Sequence, residues 1–322
     1  MAAISISEAL NQALIEEMEN DDTVFVLGQD QIYGGHFQVT KGLCDKFGPG
    51  RTIDTPISEE IIVGSGVGAA MGGMRPVAEI QHIDFMALAL DAIVNHGAAL
   101  QYAWGGQVRV PIVIRTQGGS HPLGCQHAKS LEAWFVHIPG LKVVMPSTPY
   151  DAKGLLKASI REPNPVVFIE HKLLYGYKGE VPDEEYLIEL GSADVKREGQ
   201  DVTVVATSKM VHESLSAAEE LEKENIRVEV IDPRTLVPLD IDTIMRSLKK
   251  TGRLIVVHES WKTGGFGAEV VARVCENGFN LLKAPILRLA GADVPPPFSP
   301  PLQKISIPRK DSIIQAVREM LA

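Results

Sequence analysis

The chain has little that would tie it to nucleic acid, a membrane or an oxidising compartment. Its three cysteines, Cys44, Cys125 and Cys275, lie far apart, and none forms a CxxC pair or a Cys/His cluster with metal-ligand spacing. A reduced, cytoplasmic setting fits that usage. No block of lysine and arginine occurs, and a formal net charge of -10 leaves no basic face for phosphates, which argues against a nonspecific nucleic-acid binder. No apolar stretch is long and charge-free enough to span a bilayer. A strict GxGxxG is missing too, so a dinucleotide-binding fold is a poor match. The first residues lack the basic start and apolar run of a targeting segment. They read instead as a folded helix, with Ser5 and Glu8 placed for a capping box and Ile6, Leu10, Leu14 and Met18 on one face.

At 322 residues the length suits two domains of roughly 150 residues each. Short Val/Ile/Leu runs alternate with longer helical patterns, the mark of an α/β chain whose parallel sheets are covered by helices on both faces. The first series of expected strands is 24–27, 76–80, 111–115, 141–145 and 165–169; the second is 202–206, 227–231, 254–257 and 286–289. Helices are expected over 87–102, 151–161, 209–223 and 267–276. Between the two series, residues 172–186 are polar, contain Gly and Pro and show little periodicity, which predicts an interdomain linker. The expected domains are therefore 1–185 and 186–322. The proline-rich run 295–301 reads as a rigid surface connection.

The segment from Asp54 to Gly73 carries the most information. Ser58 can cap a helix whose first turn holds Glu59 and Glu60, while Gly64, Gly66 and Gly68 leave that helix nearly bare along one side. Either a neighbouring element or a cofactor could approach it, and the spacing alone does not separate the two. A Glu at a helix start is equally suited to the helix dipole. His127 sits in a Gly-rich loop after a buried strand, where open α/β sheets place active-site residues, whereas His121 and His137 read as structural.

Taken in order, Arg51-Thr-Ile-Asp-Thr-Pro-Ile-Ser-Glu59, Arg75-Pro-Val-Ala-Glu-Ile-Gln81, Gln126-His127, Glu132-Ala-Trp-Phe135, Pro139-Gly-Leu-Lys-Val-Val-Met-Pro146 and Asn164-Pro-Val-Val-Phe168 resemble the beta subunits of 2-oxo acid dehydrogenases. The distal half, with Ile231-Asp-Pro-Arg-Thr-Leu-Val-Pro-Leu-Asp240, His258-Glu259 and Gly264-Gly-Phe-Gly-Ala-Glu269, resembles the transketolase-type C-terminal domain of that family. The resemblance covers essentially the whole chain.

It implies a pyrimidine-binding domain followed by a transketolase C-terminal-like domain, with thiamine diphosphate shared between this chain and an alpha subunit. By the same resemblance Glu59 hydrogen-bonds the aminopyrimidine ring nitrogen and acts as a proton switch. Phe85 packs on that ring, and Gln81 falls at a position that contacts the cofactor region in some branches of the family. His127 orients substrate and gives a proton to lipoyl sulfur. A monovalent cation, usually potassium, would lie near Ser159, Glu162 and Asn164. The family's diphosphate and magnesium motif, Gly-Asp-Gly, is absent here, which implies that the alpha subunit holds both. The implied assembly is an alpha-2 beta-2 heterotetramer docked on a lipoyl acyltransferase core.

Two departures stand out: Gln29 replaces an acidic residue after Gly28, and His82 is more basic than usual beside the cofactor segment. Pyruvate, branched-chain oxo acids and acetoin all remain open as substrates. A split transketolase-like enzyme and a noncatalytic scaffold are the alternatives beyond that group.

Overall fold

The structure is a computed structural model that describes residues 2–121 and 123–322. It divides into two compact units. One runs to Gly118 and resumes over Trp134–Leu190, and the other joins Gly119–Ala133 to Gly191–Ala322.

The first unit holds a parallel sheet in the order Lys142–Val144, Val166–His171, Val113–Gly118, Arg75–Ile80, Val24–Gly28, Thr52–Asp54. Runs rich in β-branched residues form these strands because both faces are covered, and Val24–Gly28 is buried at every position. The expected strand at 111–115 begins two residues later, at Val113, because Pro111 cannot donate to the ladder. The capping box forms as expected, with the Ser5 side chain accepting from the Glu8 amide and the Glu8 carboxylate accepting from Ser5. Ile6, Leu10, Leu14 and Met18 are buried against Leu155, Leu156 and Ile160 of the helix Pro149–Arg161.

The second unit has the order Leu287–Gly291, Leu254–Trp261, Val202–Ala206, Val228–Asp232, Asp194–Arg197, parallel except for the antiparallel last strand. Its core is completed by Ile313, Ile314 and Val317 of the helix Lys310–Leu321.

The stretch expected as an interdomain linker is ordered: Lys178–Val181 pairs antiparallel with Ala2–Ser5, and Tyr186, Ile188 and Leu190 pack on the first core. Two expectations are corrected. The single helix expected over 87–102 is instead a 3-10 segment Ile83–Ala89, a π segment Ala92–Ala98 and one α turn, Leu100–Ala103. Ile93, Val94, Asn95 and Gly97 are poor helix formers within that run, and Gly97 packs beside the Ala92 carbonyl and Val67. The proline run is only partly a connection, because Pro300 and Pro301 open the helix Pro300–Ser306, where their missing N–H groups cost nothing.

Candidate active site

In the first unit the strand Val24–Gly28 is flanked by the next two strands in sequence, Thr52–Asp54 on one side and Arg75–Ile80 on the other. The order therefore reverses there, and the crevice beyond the carboxyl ends at such a switch point is where open α/β sheets bind ligands. In register, Gly28 lies beside both Asp54 and Glu79, so the turns that follow these three strands start from one edge. They carry Gln29, Glu59, Gln81 and Phe85.

Glu59 is the first residue of the helix Glu59–Met71. It is 6 % exposed, and no hydrogen bond or ion pair reaches its carboxylate among the described residues. Ser58 occupies the cap position but does not cap; its hydroxyl donates to the Ile57 carbonyl at 2.7 Å. The carboxylate oxygens are not sealed from solvent and have no donor among the described residues, so their acceptor capacity is left for a ligand. The residues therefore fit a group that brings a ring nitrogen to Glu59.

The helix packs against Ile83–Ala89, which carries half-buried Phe85. Gln81 donates to the Gln29 carbonyl at 3.2 Å, so the backbone of Gln29 engages Gln81. His82 is buried, with its ring 5.7 Å from His36 and 6.4 Å from Phe85. Of the glycines, only Gly66 faces the core, where an added Cβ would come within 2.7 Å of Ile112; Gly64 and Gly68 look onto open space. Both readings of the bare helix side thus have a share: one glycine serves packing, and two leave a face uncovered.

Beneath this edge runs a buried polar ladder that sequence reasoning missed. Arg115 donates to both oxygens of Glu170, at 2.6 and 2.8 Å, and to Glu79 at 3.3 Å. Gln117 and Gln31 donate to Glu79 at 2.6 and 2.9 Å, and Tyr175 donates to Glu170. Burial pushes the Glu170 carboxyl up against the opposing pull of Arg115, and it pushes the Tyr175 hydroxyl well up. Two carboxylates share one guanidinium, and the three neutral donors stabilise the surplus negative charge. Through Gln31, which also donates to the Gln29 carbonyl at 2.9 Å, the ladder reaches the peptide that holds Gln81. A trace was visible in sequence, since Glu79, Arg115 and Glu170 interrupt apolar strands.

His127 is placed on the loop that clusters with the second unit and is partly exposed. Ser159, Glu162 and Asn164 lie at the far end of the helix Pro149–Arg161. There the Ser159 hydroxyl donates to the Leu155 carbonyl, Glu162 pairs with Lys142 at 2.7 Å and accepts from Asn164, and Arg75 occupies the Ile160 and Glu162 carbonyls. A cation in that turn would have to displace these donors.

In the second unit His258 is fully buried and accounts for the glycines that follow it. A Cβ at Gly267 would lie 2.6 Å from its Nε2, and one at Gly265 2.7 Å from the ring. Burial pushes the imidazole down to about 4, so it is neutral at physiological pH. Next to it, burial pushes the Glu132 carboxyl up to about 7, with Ser260 hydrogen bonding opposing and the Glu259 charge adding. A folded-state value above the unfolded one means that stability is fully present below about 4.5 and is lost as pH rises through about 7. Glu132→Gln, an isostere of the neutral acid, is therefore expected to leave stability unchanged near pH 4.5. At pH 8.5 it should raise it by up to about 3 kcal/mol, two to three times the ~1.4 kcal/mol of each shifted pKa unit. Thermal melts across that range test this, and a pH-independent difference would overturn it.

Residues 2–178 match the transketolase pyrimidine-binding domain and residues 191–313 the transketolase C-terminal domain. The chain is thus a transketolase-type α/β protein with the two domains in that order. Over full length it is 46 % identical to the beta subunit of the pyruvate dehydrogenase E1 component of Gracilaria tenuistipitata var. liui, covering 100 % of both chains. It is also 46 % identical to the 2-oxoisovalerate dehydrogenase subunit beta of Bacillus subtilis, covering 99 % of each. Against that organism's acetoin:2,6-dichlorophenolindophenol oxidoreductase subunit beta it is 44 % identical over 99 % of this chain and 97 % of the other. A solved split gene transketolase, an inactive beta4 tetramer, superposes with a TM-score of 0.80 over 99 % of both chains at 24 % identity, which speaks for the fold alone. The chain belongs to the family of 2-oxo acid dehydrogenase E1 beta subunits.

Proposed function

We propose that this chain is the beta subunit of a thiamine-diphosphate-dependent 2-oxo acid dehydrogenase of the pyruvate type. It works with an alpha subunit in an alpha-2 beta-2 heterotetramer that serves a lipoyl acyltransferase core in the cytoplasm. The observation that supports the reading most directly is Glu59, a buried residue at the switch point of the sheet whose carboxylate has no partner among the described residues. When bound, the cofactor supplies the electron sink for decarboxylation. Glu59 holds the proton at the aminopyrimidine nitrogen, Phe85 packs on that ring, and Gln81 is aimed by the Gln29 carbonyl. His127 orients the substrate and delivers a proton to the lipoyl sulfur. The diphosphate and magnesium fall to the alpha subunit, since no Gly-Asp-Gly occurs here. The open face at Gly64 and Gly68, with Ile57 and Ile61 exposed on the same segment, suits a partner that approaches closely.

The test is to copurify the chain with its alpha partner and follow turnover of pyruvate, branched-chain oxo acids and acetoin with thiamine diphosphate, magnesium and a dye acceptor. Turnover of pyruvate that needs the partner is expected. Turnover of acetoin alone would move the assignment to the second reading, which the Bacillus subtilis relative supports. No turnover in a stable complex would favour a scaffold. In the active complex His127→Ala is expected to slow transfer to lipoyl groups by about 10²-fold or more, read as acyl-lipoyl formed per dye-linked turnover. An unchanged ratio would remove His127 from that role.

A further inference from the structure

The loop that carries His127 has almost no regular structure, yet its neck is fixed. Gly119 donates to the Lys129 carbonyl at 3.0 Å and so closes residues 119–129 on themselves, the form of a compact loop whose ends meet. Inside it, Lys129 reaches the Cys125 carbonyl and the His127 amide approaches the Gly124 carbonyl at 3.4 Å. The tie to the rest of the second unit is made at Ser120, which is 5 % exposed. Its amide donates to the Glu259 carboxylate at 2.9 Å, and its hydroxyl accepts from Gln303 Nε2 at 2.8 Å. Glu259 lies near the end of the buried strand Leu254–Trp261, and Gln303 lies on the helix Pro300–Ser306. A strand and a helix therefore hold one residue of the loop by its amide and its hydroxyl, seven positions before His127. Farther along the loop, Gly124 rests on Phe298, to which an added Cβ would come within 3.5 Å.

We infer that Glu259 is a positioning residue for His127: with Gln303 it clamps Ser120 and so sets where the His127 loop is held for acyl transfer. This rests on the reading of His127 given above. Functional sites on loops need such support, because a misplacement of about 1 Å costs on the order of 10²-fold in rate. A carboxylate is the stronger acceptor for a buried amide, but an amide oxygen has the same reach. Glu259→Gln thus keeps the clamp, whereas Glu259→Ala removes it.

The experiment uses the complete heterotetramer with a lipoyl domain as acceptor. It compares Glu259→Ala, Glu259→Gln, Gln303→Ala and His127→Ala, and reads the ratio of lipoyl acylation to dye-linked decarboxylation together with amide hydrogen exchange over residues 119–129. Glu259→Ala is expected to lower the ratio at least tenfold and to speed exchange in the loop at least tenfold. Gln303→Ala should act in the same direction and less strongly, and Glu259→Gln should stay within about twofold of the parent. If His127→Ala lowers the ratio while Glu259→Ala lowers both rates equally, the positioning role is overturned and the His127 reading stands. If His127→Ala leaves the ratio unchanged, the His127 reading fails, and the exchange data still decide whether Glu259 fixes the loop. Unchanged exchange in Glu259→Ala overturns the inference by itself.

Discussion

Glu59→Gln in the assembled enzyme is expected to lower turnover by about 10² to 10⁴-fold, the usual contribution of a positioned acid or base, while assembly and folding persist. The side chain is nearly fully buried and makes no bond within the described residues, so the neutral isostere disturbs nothing in the chain itself. It leaves the chain's own contacts as they are, and the beta chain alone should be about as stable as the parent. Loss of activity with unchanged or raised stability is a signature that a structural role would not give. The measurements are steady-state turnover with dye acceptor, a thermal melt of the free chain, and size-exclusion chromatography of the complex. Full activity would remove Glu59 from the chemistry, and a collapsed melt would make it a structural residue.

The largest effect on stability is expected from Arg115→Met. Arg115 is 1 % exposed and is the one guanidinium that Glu170 and Glu79 share. Removing it leaves two buried carboxylates with neutral donors only, and breaking a buried pair in this way costs about 3–5 kcal/mol. The damage has a pH signature. The Glu170 carboxyl is already pushed up by burial with the guanidinium present, and without it the carboxyl stays protonated to higher pH. The deficit is then greatest at alkaline pH and shrinks as the medium approaches the unfolded carboxyl range. Adding Glu170→Gln to Arg115→Met should recover part of the loss by removing one stranded charge. Denaturant unfolding followed by hydrogen exchange in the strand Val113–Gly118 checks both statements. A pH-independent loss would mean that the ladder acts through packing rather than charge.

Signals complete within a few residues are legible in the sequence, and those that depend on distant partners are not. Ser5 and Glu8 predict their capping box because the motif is complete within four residues, and the strands 24–27 and 202–206 stand out because β-branched runs covered on both faces leave no other reading. Ser58 looks the same as Ser5 in one dimension, but its hydroxyl turns to the preceding carbonyl, a choice made by local backbone angles that residue identity does not report. Lys178–Val181 lacks periodicity because its partner is the N-terminal segment, more than 170 positions away. The Glu79, Arg115 and Glu170 ladder had a trace, charges inside apolar strands, but their pairing depends on strand order. The roles proposed for Glu59 and His127 rest on resemblance; their surroundings, a carboxylate with no partner among the described residues and a loop bonded at Ser120 to Glu259 and Gln303, are visible only in three dimensions.

The position of the Gly119–Ala133 segment in the chain has a consequence for how such proteins can be rearranged. It is encoded within the first domain's stretch of sequence, yet its contacts belong to the second unit. A recombination event that cut near residue 190 and joined the front half of one homologue to the back half of another would separate the segment from the Glu259 and Gln303 that grip it. Both halves of such a hybrid could keep their own cores and still be mismatched at one seam. Gene shuffling in this family is therefore expected to succeed most often when residues 119–133 travel with the C-terminal half, as an inserted cassette, rather than with the sequence around them.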